Sequence, residues 1–331
     1  MKNCIATFGY AMIFFMASVF TCYVRAEEKP FRIGIIGLDT SHSPSFAAQI
    51  NNPKNAYGCR VVAAYVGGSP DIPSSVNFLD QYTKQVRDSL GVEIVSSIEE
   101  LCKKVDGVLL ESVDGRPHLE QVKPVLNAKK PVFVDKPMAG SLTEVIEIFR
   151  LAKEAGVPCW SSSSLRYSPG IASVRTDPEF GGVMGCDAFS PCPLEEHHPD
   201  LYWYGIHGVE TLFTVMGPGC ETVQRAQTKD FEHVTGVWKD GRIGTFRGIR
   251  GGKADYGCFV FGAKKIGPGG SYTGFGPLVE EIVKFFKTGK PPVSPEETIE
   301  IYAFMTAADE SKKRGGAPVS IREVIDRAGK R

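Results

Sequence analysis

The sequence is short of several things, and each shortage excludes something. It carries no net charge, with Lys plus Arg and Asp plus Glu both numbering 38, so the balance gives no sign of a nucleic-acid or polyanion partner. None of its nine cysteines stands in a Cys-x-x-Cys pair, which argues against a zinc ribbon or a dithiol redox motif. It has no His-x-x-x-His, the tight spacing with which a helix presents metal ligands. Internal repeats and low-complexity tracts are also missing. Past residue 26 no apolar run approaches the roughly 20 residues that a membrane-spanning helix needs.

The one long apolar run leads the chain. Lys2, "IATFGYAMIFFMASVF" and "VRA" ending at Ala26 have the order of a secretory signal: basic start, apolar middle, small residue at the cut. Residues 1–26 therefore read as a leader cleaved near Ala26, and the rest as an exported, periplasmic or otherwise extracytoplasmic chain without a membrane span. A lipid-anchored reading at Cys22 meets bulky Phe20 where a small residue is usual. Losing Lys2 and Arg25 leaves 36 basic against 38 acidic residues. No Arg pair precedes the run, so the chain is expected to cross unfolded and to acquire any cofactor outside. Seven cysteines remain, read as scattered buried thiols, with Cys186 and Cys192 able to pair across a turn.

A chain of 331 residues suggests two domains, taken as 27–166 and 167–331. In the first, "FRIGII", "RVVAAYV", "GVLLE", "PVFVD" and "VPCWSS" read as strands buried on both faces, with helical patterns between them. That alternation predicts an α/β fold, a doubly wound parallel sheet of the Rossmann type. Ser97 and Ser141, each three residues before a Glu, sit where helix caps belong. The second domain, with "VMGCDAFSPCP", one helix at "WYGIHGVETLFTVMG" and strand-like stretches turning at Asp240-Gly241, reads as α+β on an open, mainly antiparallel sheet. Its closing helices are free to pack back on the first domain.

The first strand runs into "GLDTSH", where a dinucleotide turn would read G-x-G-x-x-G. Gly37 holds the first place; Asp39 and His42 hold the other two. A carboxylate about 4 Å from a phosphate charge costs about 4 kcal/mol at an effective dielectric of 20. Ligands of such sheets lie beyond the carboxyl ends of the strands. There the chain offers Asp39, Ser41 and His42, then Glu111, Ser112, Asp114 and His118, then Asp135 and Lys136. Lys136, held before Pro137, and His207, flanked by Gly205 and Gly208, are the candidates for proton transfer.

At "VDKP", "IHGVE" and the tail from "FGPLVEEIVKFFKTG" onward, the chain resembles the Gfo/Idh/MocA family, the relatives of glucose-fructose oxidoreductase and inositol dehydrogenase. The likeness covers nearly all of the mature chain and is best from Val92 to Ser168. It implies a Rossmann domain with bound NAD or NADP, a substrate domain, and a sugar or polyol substrate. It further implies Lys136 and His207 as catalytic residues. The cofactor would meet Gly34, Gly37, Asp39, Ser41, His42, Glu111, Ser112, His118, Asp135 and Lys136; the substrate would meet Arg166, Trp203, Tyr204 and His207. Homo-oligomers through the second sheet follow by analogy. Asp135 stands in place of the family's glutamate, Trp203 in place of a substrate-binding aspartate, and Val66-Gly67-Gly68 in place of the acid that meets the ribose.

Three readings stand at this point. One is an NAD(P)-using oxidoreductase acting on a sugar derivative with a tightly held cofactor. Another is a protein that binds a carbohydrate or other small ligand without redox chemistry, with Tyr202, Trp203, Tyr204 and Trp160 as aromatic faces. The third is a metal-dependent lyase or hydrolase using Asp39, His42, Glu111 and His118, with Asp135, His197 and His198 in reach.

Overall fold

The computed structural model describes residues 29–330; the leader read over 1–26 lies outside the described residues. Six strands, β1 (Phe31–Ile36), β2 (Cys59–Tyr65), β3 (Glu93–Val95), β4 (Gly107–Leu110), β5 (Val132–Val134) and β6 (Cys159–Ser161), form a sheet in the order β3-β2-β1-β4-β5-β6. Every pairing in it is parallel. The helices between them are α1 (His42–Ile50), α2 (Pro73–Lys84), α3 (Ile98–Lys104), α4 (His118–Asn127) and α5 (Leu142–Ala155). Strand order reverses between β1 and β4, which opens the crevice at their carboxyl ends.

The second sheet has seven strands, ordered β12-β11-β7-β10-β9-β8-β13: β7 (Val183–Pro191), β8 (Cys220–Gln227), β9 (Phe231–Trp238), β10 (Ile243–Ile249), β11 (Gly257–Gly262), β12 (Ile266–Gly270) and β13 (Val319–Ser320). Only β7 and β10 run parallel, so the sheet is mainly antiparallel, as its alternating pattern implied. Its helices are α6 (Pro169–Ser173), α7 (Ile206–Met216), α8 (Gly276–Thr288), α9 (Pro295–Lys313) and α10 (Ile321–Ala328). All of α7 is buried, which explains its apolar character around the whole circumference.

The closing helices tie the two halves together. Leu278, Val279, Ile282 and Phe285 of α8 share one core with Ile33, Phe46, Leu109, Phe133 and Trp160 of the first sheet. From α9 the Tyr302 hydroxyl accepts the Met138 N–H at 2.6 Å, anchoring the loop after β5. The outer face of the second sheet leaves Val237, Ile243, Phe259, Phe261 and Ile266 exposed.

Some details differ from the sequence reading. Strands β3, β12 and β13 carried no signal. Ser97 and Ser141 cap α3 and α5 through the N–H groups of Glu100 and Glu144, but the Glu100 carboxylate binds Ser96 instead of closing the box. Cys186 and Cys192 cannot pair, because β7 stays extended to Pro191. Six extended residues span about 20 Å, against the roughly 7 Å limit between disulfide Cα atoms. Among the described residues all seven cysteines are free and buried.

Candidate active site between the two domains

A cavity of about 380 Å³ lies beyond the carboxyl ends of β1 and β5. Residues 39–42 form one wall, Ser74, Phe78 and Tyr82 of α2 a second, and Trp203, Tyr204, His207, Tyr256 and Tyr272 of the second domain a third; Lys136 and Phe275 complete it.

The turn into the cavity depends on Gly37. Its φ is +91°, and a side chain there would collide with the Ser112 backbone, so only glycine serves. Gly34 acts differently: it lies within β1 against Leu101 of α3, a packing position away from the cavity. The helix that follows starts at Ser41, whose side chain makes no cap. Within its first turn the His42 N–H goes to Thr40 Oγ1 at 3.4 Å and the Ser45 N–H to the Ser41 carbonyl, while Pro44 has no N–H to offer.

Asp39 lines the cavity with its carboxylate tied to two neighbouring elements. One carboxylate oxygen accepts the Ser75 hydroxyl at 2.6 Å and the other the Val113 N–H at 3.0 Å. Burial raises its pKa. The same lacing continues through Ser69 to Asp114 and through Arg116 to Asp71 and Asp114. His198 reaches across from the second domain to Asp114 at 3.1 Å, and stands against Trp203. The Asp114 carboxyl is held far below the ordinary range: burial opposes this, but His198, Arg116 and Ser69 outweigh it.

Two imidazoles face the cavity from opposite domains. His207 Nδ1 pairs with Ser163 Oγ at 2.7 Å. Burial, then the electrostatic influence of Lys136 and His42, push its pKa well below the usual value, which favours the neutral imidazole. His42 Nδ1 meets Asp135 Oδ2 at 2.5 Å, and the other Asp135 oxygen accepts the Lys136 N–H at 2.7 Å. Asp135 is buried, which alone would favour its neutral form, but His42 and Lys136 keep it ionised. Tyr204 stands edge-on to His207, with its hydroxyl 3.2 Å from that of Tyr256.

Several expected site residues are placed elsewhere. Glu111 is sealed beneath the cavity with both oxygens unpartnered; burial and the Asp135 charge raise its pKa well above normal. Both His118 nitrogens lie on the carbonyls of Ser112 and Met138, and burial lowers its pKa, so it is a packing group. Ser112 bonds Gln121. Arg166 is locked to Glu210 and Glu297 and does not line the cavity. Trp160 and Tyr202 are core residues. The acids and histidines proposed for a metal do not converge: among the described residues no group of three or more His, Cys, Asp or Glu is placed to hold an ion. Also among them, no helix is long and apolar enough to cross a membrane. Ser75, Ser163, Tyr256, Tyr272 and Phe275 were missed, because each reaches the site from a loop or helix that no local motif connects with it.

Residues 31–163 match the family model GFO_IDH_MocA, an oxidoreductase family with an NAD-binding Rossmann fold. No curated protein matches the chain. Among solved structures, a "probable dehydrogenase" from Thermotoga maritima is 22% identical with a TM-score of 0.72, over 89% of this chain and 100% of its own. Myo-inositol 2-dehydrogenase from Lactobacillus plantarum is 17% identical at 0.71, over 88% and 99%. Scyllo-inositol dehydrogenase from Lactobacillus casei, solved with NAD(H) and scyllo-inositol, is 14% identical at 0.71, over 89% and 100%. These similarities establish the fold across both domains.

Proposed function

We propose that this chain, whose N-terminal domain belongs to the Gfo/Idh/MocA oxidoreductases, is an NAD(P)-dependent dehydrogenase that interconverts a carbinol and a carbonyl of a sugar derivative or cyclic polyol outside the cytoplasm. The observation that carries the reading is the convergence on one cavity of residues 39–42 at the start of α1, Lys136 from the first domain and His207 from the second.

The donor set suits a nicotinamide dinucleotide. The Ser41 and Ser74 hydroxyls and the Tyr82 and Phe78 rings, all lining the cavity, would contact it. When bound, the cofactor supplies or accepts the hydride. His207 takes the hydroxyl proton at Nε2, which requires the tautomer whose Nδ1–H donates to Ser163. The Lys136 ammonium stabilises negative charge on the substrate oxygen. Trp203, Tyr204, Tyr256 and Tyr272 give the sugar ring apolar faces and hydroxyl partners. The exposed apolar face of the second sheet supports pairing of two copies there.

The Asp39 tie favours a second reading, ligand binding without redox chemistry, because it fixes a carboxylate in the cavity wall, where it would oppose a phosphate. Purifying the mature chain from its own compartment, denaturing it and quantifying released NAD(P) separates the two. Stoichiometric dinucleotide supports the dehydrogenase; none released, and none bound when added at millimolar concentration, rejects it.

A further inference from the structure

His42 stands where a dinucleotide turn carries glycine, yet its side chain does not face the helix end. The ring lies between Phe46, stacked at 5.1 Å, and Phe275, edge-on at 4.7 Å. Its Nδ1 is taken by Asp135. Both Asp135 oxygens are then satisfied, so the carboxylate is fixed and the imidazole with it. A carboxylate on Nδ1 leaves the lone pair on Nε2, and among the described residues no hydrogen bond engages that nitrogen. A purely structural pair would be sealed from the cavity; here Asp135 is buried behind the wall and His42 lines it. The groups around it are Asp135, Lys136, His207 and, beside Asp135, the buried Glu111.

Exchanging a carbinol for a carbonyl requires one base for the hydroxyl proton, and His207 fills that role. A second oriented base has work only if a second proton moves. The proton that a carbonyl product makes acidic is the one on the adjacent carbon.

We propose that His42, oriented by Asp135, is a second acid–base group of this site, which removes and returns the proton on the carbon next to the carbonyl of a keto-polyol or keto-sugar. In that step the C–H bond breaks toward His42 Nε2, which gains the proton, the electron pair becomes the C=C of an enolate, and the Lys136 ammonium holds the negative oxygen. Reversal restores the ketone, and no oxidant or reductant is consumed. The inference takes its substrate class from the dehydrogenase reading, but the step itself needs no nucleotide.

The test is to incubate the mature protein with 2-keto-myo-inositol in D₂O, without nicotinamide, and follow the protons next to the carbonyl by NMR. The native protein should exchange them about 100-fold faster than buffer, within the range of general acid–base catalysis. His42→Gln should fall to the buffer rate. Asp135→Asn, which keeps the shape but not the charge, should lose most of the exchange while melting cooperatively, guarding against a folding artefact. Native protein at the buffer rate, or His42→Gln exchanging at the native rate, overturns the proposal. NAD(P)H oxidation measured on separate aliquots of the same preparations, with the cofactor added, keeps the two claims apart: exchange without oxidation sinks only the dehydrogenase, and oxidation without exchange only the role of His42.

Discussion

The Asp39 carboxylate accepts the Ser75 hydroxyl at 2.6 Å and so joins the turn after β1 to the first turn of α2. A glycine-based turn has no such tie. Replacing Asp39 by Gly restores the glycine of the dinucleotide motif and removes a carboxyl from the neighbourhood of the phosphates. Titration of Asp39→Gly with NAD(P) should show affinity at least about tenfold tighter than native, at the low end of what a charge pair of this kind is worth. The lost hydrogen bonds should cost about 1–3 kcal/mol of stability. Unchanged or weaker binding would mean that Asp39 does not oppose the cofactor.

Glu111 carries a stability prediction with a definite sign. Its folded pKa is raised, chiefly by burial and then by Asp135, so between the unfolded and folded values the folded chain holds a proton that the unfolded chain has released. Stability from this group falls as pH rises above the ordinary carboxyl value. Glu111→Gln removes the penalty and should raise the melting temperature at pH 7 by a few degrees. The gain should shrink toward pH 4, where both states of the native residue are protonated.

Arg166 lies between Glu210 and Glu297 with a side-chain exposure of 12%. Arg166→Ala leaves two carboxylates facing each other without their cation, which should cost about 3–5 kcal/mol in chemical denaturation. Substrate KM in the surviving folded fraction should not change, as expected of a residue away from the cavity.

Ile243 and Phe261 sit on the exposed face of the second sheet, at 53% and 37% exposure. If two copies pair there, Ile243→Glu with Phe261→Glu should give a monomer by sedimentation, with unaltered circular dichroism. A native chain already monomeric at working concentration would rule the interface out.

Legibility in the sequence follows from range. Strands β1, β4 and β5 were readable because a strand buried on both faces is an unbroken apolar run, and the Ser97 and Ser141 caps because they act over three residues. β3 escaped notice as three residues with Glu93 exposed, and β12 because "IGPGG" carries the residues that strands avoid. The site was legible as a set of strand ends, but its roles were not. His42 read as part of a phosphate turn because its partner Asp135 lies 93 positions away. Arg166 read as a substrate contact because Glu210 and Glu297 are remote in sequence. His118 and Glu111 have the right chemistry and the wrong direction, and direction is set by packing rather than by local pattern.

The most direct test of the central claim is hydride transfer itself. NAD(P)H deuterated at the transferring position, given to the mature protein with a keto-polyol, should place deuterium on the carbinol carbon of the product, detected by mass spectrometry. His207→Ala should lower that rate by about 10² to 10⁴ and still bind the dinucleotide. A native protein that binds dinucleotide and ketone together, yet yields no deuterated alcohol, would contradict the account and leave a ligand-binding protein on a dehydrogenase fold.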